Sequence, residues 1–278
     1  MESRLCHKIG HWAAVALLAA GGWTGLGCTQ DSVVRDVFEP FLPPPPGTVA
    51  REAFSVDPDV ARKNLARLAT SSFGGEEPYV RLYRLQCGHE DATVRAVAVR
   101  ALGTYGTVED VSLLARLLTD DDGPAVRREA AKALQKIHSP AAVVPLISRL
   151  AKTGNDLAEE SSDVRMAAAF ALGQYPEPRV FHALVGALDD TEYGVVSTAL
   201  RSLKILTGYD FGQDGSLWLI WANRHSEDLF QHRENYTWSP YNKPRRVVDR
   251  LKFWKKHEVK GPQPARGELM NGEVTKSE

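Results

Sequence analysis

The chain has 278 residues, 43% of them hydrophobic and 25% charged, a balance that supports a packed core of ordinary globular type and confines disorder to the ends. Its net charge of −1 excludes a uniformly basic or acidic protein, but the charge is divided: residues 31–230 carry 21 Lys and Arg against 28 Asp and Glu, whereas residues 231–278 carry 11 against 6. An acidic body with a basic tail predicts that the tail touches something anionic, either a membrane surface or the body itself.

At the N-terminus, Arg4 and Lys8 precede an apolar run from Trp12 to Trp23, the pattern of an export signal over residues 1–27. The run is shorter than the about 20 apolar residues that a membrane-spanning helix needs. Gly25-Leu26-Gly27-Cys28 follows and resembles the lipobox of bacterial lipoproteins, with Gly25 and Leu26 standing where that motif has leucine and a small residue. The resemblance implies a lipidated Cys28 and an exported protein anchored to a membrane of the bacterial cell envelope. Each buried acyl methylene adds about 0.8 kcal/mol of membrane affinity. With Cys6 removed and Cys28 lipidated, Cys87 stands alone and no internal disulfide forms. Residues 28–55 read as a tether, because Pro43 to Pro46 favour extended polyproline II.

From Asp57 onward the chain repeats itself. Val126-Arg127, Ala130 and Ala133-Leu134 recur as Val94-Arg95, Ala98, Ala101-Leu102 and as Val164-Arg165, Ala168, Ala171-Leu172, with weaker copies at Val60 and Val195. Offsets of four, seven and eight lie on one helix face, and valines separated by 34, 32, 38 and 31 residues mark a helical solenoid over residues 56–230. Five helix pairs follow. The first starts at Asp57-Pro58 and its partner near Pro78. The second joins 92–104 to 108–118. The third joins 125–137 to a helix opened by Ser139-Pro140, the fourth 163–172 to 178–188, and the fifth starts at Val195. The extra residues 153–161, with Asp156, Glu159 and Glu160, read as an exposed loop. Ala98, Ala130 and Ala168 share one register and predict close approach of neighbouring helices. Leu206 to Asp214 forms a longer turn ahead of Trp218 and Trp221, which with Leu217 cap the last hydrophobic edge. Asp210 and Asp214 fit that turn better than a calcium loop, which needs more oxygen ligands.

These repeats resemble HEAT repeats, specifically the short bacterial HEAT-like type of phycobilin lyase subunits, through Asp91 to Arg95, Asp122 to Arg127 and Asp163 to Arg165. The resemblance covers about residues 57–224 and implies an all-α, right-handed α-solenoid of about five HEAT-like pairs. In that family the second helices line a concave side that binds another protein, which makes Arg81, Arg84, Ser112, Arg116, Arg149 and His182 the candidate contacts. The arginines at 95, 127 and 165 read instead as partners of acidic residues at adjacent turns, locking neighbouring repeats.

The tail, 231–278, holds a basic aromatic amphipathic run: Arg245, Arg246, Arg250, Leu251, Lys252, Trp254, Lys255 and Lys256. It suits an anionic membrane, the acidic solenoid or a partner, with nucleic acid a distant third, and residues 261–278 read as disordered. Cys87-Gly88-His89-Glu90 places three reactive groups together, but adjacent residues cannot converge on one metal and no second ligand pair accompanies them. No phosphate loop, Gly-x-Ser-x-Gly or His-Glu-x-x-His occurs. The sequence therefore predicts a non-catalytic, envelope-anchored scaffold with no metal and no cofactor. The alternatives are a chromophore lyase or carrier-like subunit, implied by the resemblance, and a structural bridge between the membrane and another envelope component.

Overall fold

Residues 46–151, 159–240 and 260–267 are described by the structure, a computed structural model. The chain divides after Pro45 into two units, and the second, Pro46–Glu278, contains all of the described residues. The expected signal segment, Cys28, most of the tether and the basic run from Arg245 to Lys256 lie outside them.

Five helix pairs stack in chain order as the period predicts, an α-solenoid. After α1 (Pro46–Glu52) come α2 (Pro58–Ala69) with α3 (Glu77–Gln86), α4 (Ala92–Tyr105) with α5 (Val111–Asp120), and α6 (Pro124–Lys136) with α7 (Val143–Leu150). The last two pairs are α8 (Ser162–Leu172) with α9 (Pro178–Gly186) and α10 (Tyr193–Thr207) with α11 (Gly215–Arg224). Local chemistry sets the starts. Asp57, Asp91 and Asp214 each accept a backbone N–H of the first turn, and proline occupies the first turn of α2, α3, α6 and α9. Ser139-Pro140 opens a short 3-10 turn, Pro140–Ala142, one step before α7.

The first helices of the pairs pack more closely on one another than the second helices do. Small residues permit this: Ala98, Ala130 and Ala168 are fully buried, a side chain at Gly103 would start 3.0 Å from Ala133, and one at Gly173 would start 2.8 Å from the Ser202 hydroxyl. The first helices therefore form the more closely packed layer, because their sequence is alanine where the second helices carry leucine. Replacing Ala168 with Leu should overpack this layer and lower stability by roughly 1–3 kcal/mol, read as a lower melting temperature in calorimetry.

Two boundaries differ from expectation. The helical body begins within the expected tether, at α1, because Val49 and Ala53 are buried and Ala53 offers its carbonyl to the Gln86 amide at 3.1 Å. At the other end, residues 261–267 are docked rather than disordered. Trp238 and Gln263 exchange two backbone hydrogen bonds, Ala265 is buried, and β2 (Arg266–Gly267) pairs in parallel with β1 (Ile137–His138). Arg266 donates to the carbonyls of Gly103 and Thr104 at 2.9 and 2.6 Å, placing a cation on the negative end of α4. The basic tail thus folds back on the solenoid at its described residues.

The C-terminal cap also departs in detail. Trp218 is fully buried and donates its indole N–H to the Gly212 carbonyl at 2.8 Å, and Trp221 is half-buried, but Leu217 and Ile220 face solvent. Asp210 accepts the Gly212 N–H and pairs with Lys204, and Asp214 caps α11, so both carboxylates serve the turn. Gly208 ends α10 at φ +76°, where an added side chain would meet the His232 carbonyl at 2.4 Å.

Candidate functional site

One arginine in each of the three central repeats holds the stack in register. Arg95 grips Asp121 with two hydrogen bonds of 2.8 Å, Arg127 grips Glu159 at 2.7 and 2.8 Å, and Arg165 grips Asp190 at 2.7 and 3.0 Å. The third amine of each turns back to two carbonyls at the start of its own repeat: His89 and Glu90, Asp121 and Asp122, Glu159 and Glu160. Every such arginine follows the repeat's valine, and every partner carboxylate stands five residues before the next valine. The ladder stops where the pattern stops, because Ala61 and Val196 occupy the arginine position in the flanking repeats. The expected locking of repeats by arginine is therefore realised.

Glu159 is a correction. Expected in an exposed loop, it is 1% exposed, because the insertion carries it to the place that Asp121 and Asp190 take at their junctions. Burial pushes its carboxyl upward, but hydrogen bonds from Arg127 and the Ser161 N–H, with the charges of Arg127 and Arg149, hold it below the usual carboxylate range. Asp121 behaves likewise against Arg95 and the Gly123 N–H, and Glu129 against Arg100. Burial pushes the His138 imidazole down, outweighing its Gln174 contact at 3.1 Å and the Glu177 charge.

These directions give a pH dependence. A depressed group binds fewer protons folded than unfolded, so its contribution is complete above the unfolded value and is lost as pH falls. The melting temperature should decline gently as pH drops through about 6.5, from His138, and steeply below about 4, from the three carboxyls. A flat melting curve between pH 5 and 3 would contradict the ladder's electrostatics.

The six candidate contacts on the second helices do not converge on one site. Arg84 is held by Asp110 at 2.6 Å and by Glu77, and Arg149 is buried with an amine on the Thr119 carbonyl. Arg81 is exposed and pairs with Glu77, while Ser112, Arg116 and His182 face solvent, His182 edge-on to Phe181. Cys87 is buried with its thiol pushed up to about 12 by burial, and His89 accepts the Asp91 N–H, so neither is poised for chemistry. Among the described residues no group of three or more His, Cys, Asp or Glu side chains could hold a metal ion, and no helix is long and apolar enough to cross a membrane.

The surface that gathers charge lies on the first helices. A cleft of about 390 Å³ runs between α6, α8 and α10, with Arg128, Lys132, Asp163, Met166, Phe170 and Arg201 on its walls. Arg201 lies over the Phe170 ring at 4.7 Å, and Tyr236 from the tail tilts against the same ring at 5.8 Å and donates to the Phe170 carbonyl. Glu129 is buried beneath Arg100, Arg128 and Lys132 at 3.0, 3.3 and 3.7 Å. A second cavity, of about 370 Å³, sits under the returning tail between His138, Gln174, Leu206, Tyr236 and Ala265. The sequence reading missed the cleft, although its row of residues is visible in the repeat: Arg100, Lys132, Phe170 and Arg201 each stand six residues after the repeat's valine.

Comparison with known proteins agrees with this architecture. The model of HEAT repeats matches residues 80–160, and that of the PBS lyase HEAT-like repeat matches residues 164–190. Over 126 residues the chain is 32% identical to an uncharacterized phycocyanin operon protein Z of Pseudanabaena tenuis, covering 45% of this chain and 61% of that protein, so the match spans less than two thirds of the relative's length. Similar solved structures include the complex of CpcE and CpcF of phycocyanin lyase from Nostoc, at 21% identity over 56% of this chain and 96% of the other, TM-score 0.45. Another is a designed armadillo repeat protein in complex with the peptide (KR)4, at 19% identity over 63% and 87%, TM-score 0.45.

Proposed function

We propose that the chain, whose repeats match the models of HEAT repeats and of the PBS lyase HEAT-like repeat, is a non-catalytic scaffold that binds another protein along its repeats at the cell envelope. The observation that carries this reading is a division of labour within the repeats. The arginines after the valines are engaged in holding the stack in register, while Arg100, Lys132 and Arg201 on the first helices, and Arg81, Ser112, Arg116 and His182 on the second, point to solvent from that frame. A surface whose charges are ordered but available suits recognition of a macromolecule, since preorganisation reduces the ordering cost of binding.

Anchoring rests on Cys28 and on the basic run Arg245, Arg246, Arg250, Lys252, Lys255 and Lys256 beside Leu251 and Trp254, each cation near an anionic surface adding about 1 kcal/mol. The test is crosslinking in cells with mass spectrometry, comparing the full chain with Cys28→Ala and with the tail cations changed to Gln. The scaffold reading expects one protein crosslinked reproducibly to the repeats. It expects membrane retention to fall in Cys28→Ala. A chain that crosslinks to nothing through residues 46–240 would overturn it.

A second reading is favoured by the relative from a phycocyanin operon: a chromophore lyase or carrier-like subunit. Visible pigment absorbance that co-purifies with the protein and transfers to an acceptor would establish that reading over the scaffold.

A further inference from the structure

We propose that the row Arg100, Lys132, Phe170 and Arg201 docks an extended acidic segment of the partner protein, with one large apolar side chain entering the cleft at Phe170. This inference rests on the scaffold reading and names the chemistry of its partner.

The row follows from the repeat itself. Each of the four residues stands six positions after its repeat's valine, and the helices that carry them, α4, α6, α8 and α10, are successive neighbours in one layer. With helices about 8–10 Å apart, the row extends for roughly 24–30 Å. An extended polyproline II segment rises about 3.1 Å per residue with about three residues per turn, so roughly nine residues span the row, and side chains three apart share one face and meet successive helices. The row reads cation, cation, aromatic, cation. Its complement reads acid, acid, apolar, acid at that spacing.

Charge favours this occupant. Three cations line the cleft, Arg128, Lys132 and Arg201, and Arg100 joins them through Glu129, against the carboxylates of Glu129 and Asp163. Glu129 is buried and shared among three of those cations, and Asp163 takes an amine of Arg128 at 3.0 Å. Arg201 forms no ion pair among the described residues; its guanidinium lies over the Phe170 ring at 4.7 Å. The positive field is local to this face, because residues 31–230 carry an excess of seven acidic side chains. A cleft of one sign in a body of the other focuses potential and steers a charged partner toward it.

Shape separates a peptide from the other anions. Phe170 and Met166 form a half-buried apolar floor in a concave site of about 390 Å³, room for a single large side chain and its backbone. A guanidinium that meets a ring and no carboxylate keeps N–H donors for an incoming carboxylate, which gives the anchor an acidic neighbour on one side. A flat membrane does not reach the floor of the cleft.

The probe is a fluorescein-labelled peptide with Glu, Glu, Phe and Glu at three-residue intervals, separated by Gly and Ser and made in both chain directions. Fluorescence anisotropy against the full-length protein should show saturable binding that weakens with salt. Lys132→Glu and Arg201→Glu should each raise Kd at least about tenfold, and Lys132→Gln and Arg201→Gln by less. Both positions are exposed, and unchanged melting temperatures verify that the variants fold. Replacing the peptide's Phe with Ala, or moving its acids to one end, should weaken binding. The proposal is overturned if no saturable binding is seen, if a lysine version binds equally, if the variants leave Kd unchanged, or if phosphatidylglycerol vesicles or an oligonucleotide displace the peptide at comparable concentration. Crosslinking keeps the two readings apart. A partner held elsewhere on the repeats, with no peptide binding, overturns the docking row and leaves the scaffold standing.

Discussion

Arg165→Ala is expected to lower stability by about 3–5 kcal/mol, the largest effect of any single change in the ladder. Arg165 is 1% exposed and Asp190 3%, so the substitution leaves a carboxylate buried beside the carbonyls of Glu159 and Glu160, which lose the third amine of the same guanidinium. Arg95 is a weaker case, because Asp122, one of its two carboxylate partners, is exposed and its contribution is screened by solvent. In differential scanning calorimetry the Arg165→Ala melting temperature should fall on the order of 10 °C, and that of Arg95→Ala by less. The ion pair itself is a poor source of net stability, since two ions must leave water to form it. Arg165→Leu combined with Asp190→Leu should therefore recover much of the loss. If the single and double variants melt together, the arginine acts through packing of its stem alone, and the electrostatic account of the ladder fails.

That ladder also shows where the sequence was legible. The period was readable because each repeat must bury the same face against its neighbour, which forces alanine, leucine and valine into one register; Ala98, Ala130 and Ala168 are all fully buried there. The arginine column was readable for the same reason. Its partner at the third junction was not, because Glu159 sits near Asp156 and Glu160 in an insertion, where local polarity argues for solvent exposure. The informative signal was positional: Asp121, Glu159 and Asp190 each precede a valine by five residues, whatever the length of the loop before them.

The tail was opaque for a different reason. Arg266 reaches Thr104 across 162 residues of sequence, and its strand is two residues long in a Gly- and Pro-containing stretch with no period. Nothing local distinguishes such a segment from a disordered end, since its order comes from helix-end carbonyls that another part of the chain supplies. Helix α1 was hidden by the prolines before it, which favour an extended tether yet equally suit a first helical turn. The basic row stood in between. Its register was visible at six residues past each valine, but the closer packing of the first helices was not, and the family resemblance had pointed to the second helices.

Trp218→Ala should destabilise the C-terminal end of the stack by about 3–5 kcal/mol, whereas Trp221→Ala should cost far less. Both tryptophans lie on α11, but only Trp218 is fully enclosed, edge-on to Phe181 at 6.3 Å and to Phe211 at 4.9 Å. Its indole N–H also fixes the Gly212 carbonyl, and through it the turn that delivers Asp214 to the N-terminus of α11. Alanine would remove the filling between α9 and the turn and leave that carbonyl without its donor, so the cavity and the lost bond act together. Trp221 stacks on His225 at 5.1 Å at the edge of the cap, half in water, and its removal exposes little. Because each repeat contacts only its neighbours, the damage should be local. Hydrogen exchange in Trp218→Ala should accelerate in α10 and α11 while α4 and α6 keep their protection. Uniform loss of protection along the whole stack would instead mean that the repeats unfold as a single cooperative unit, with the ladder coupling them end to end.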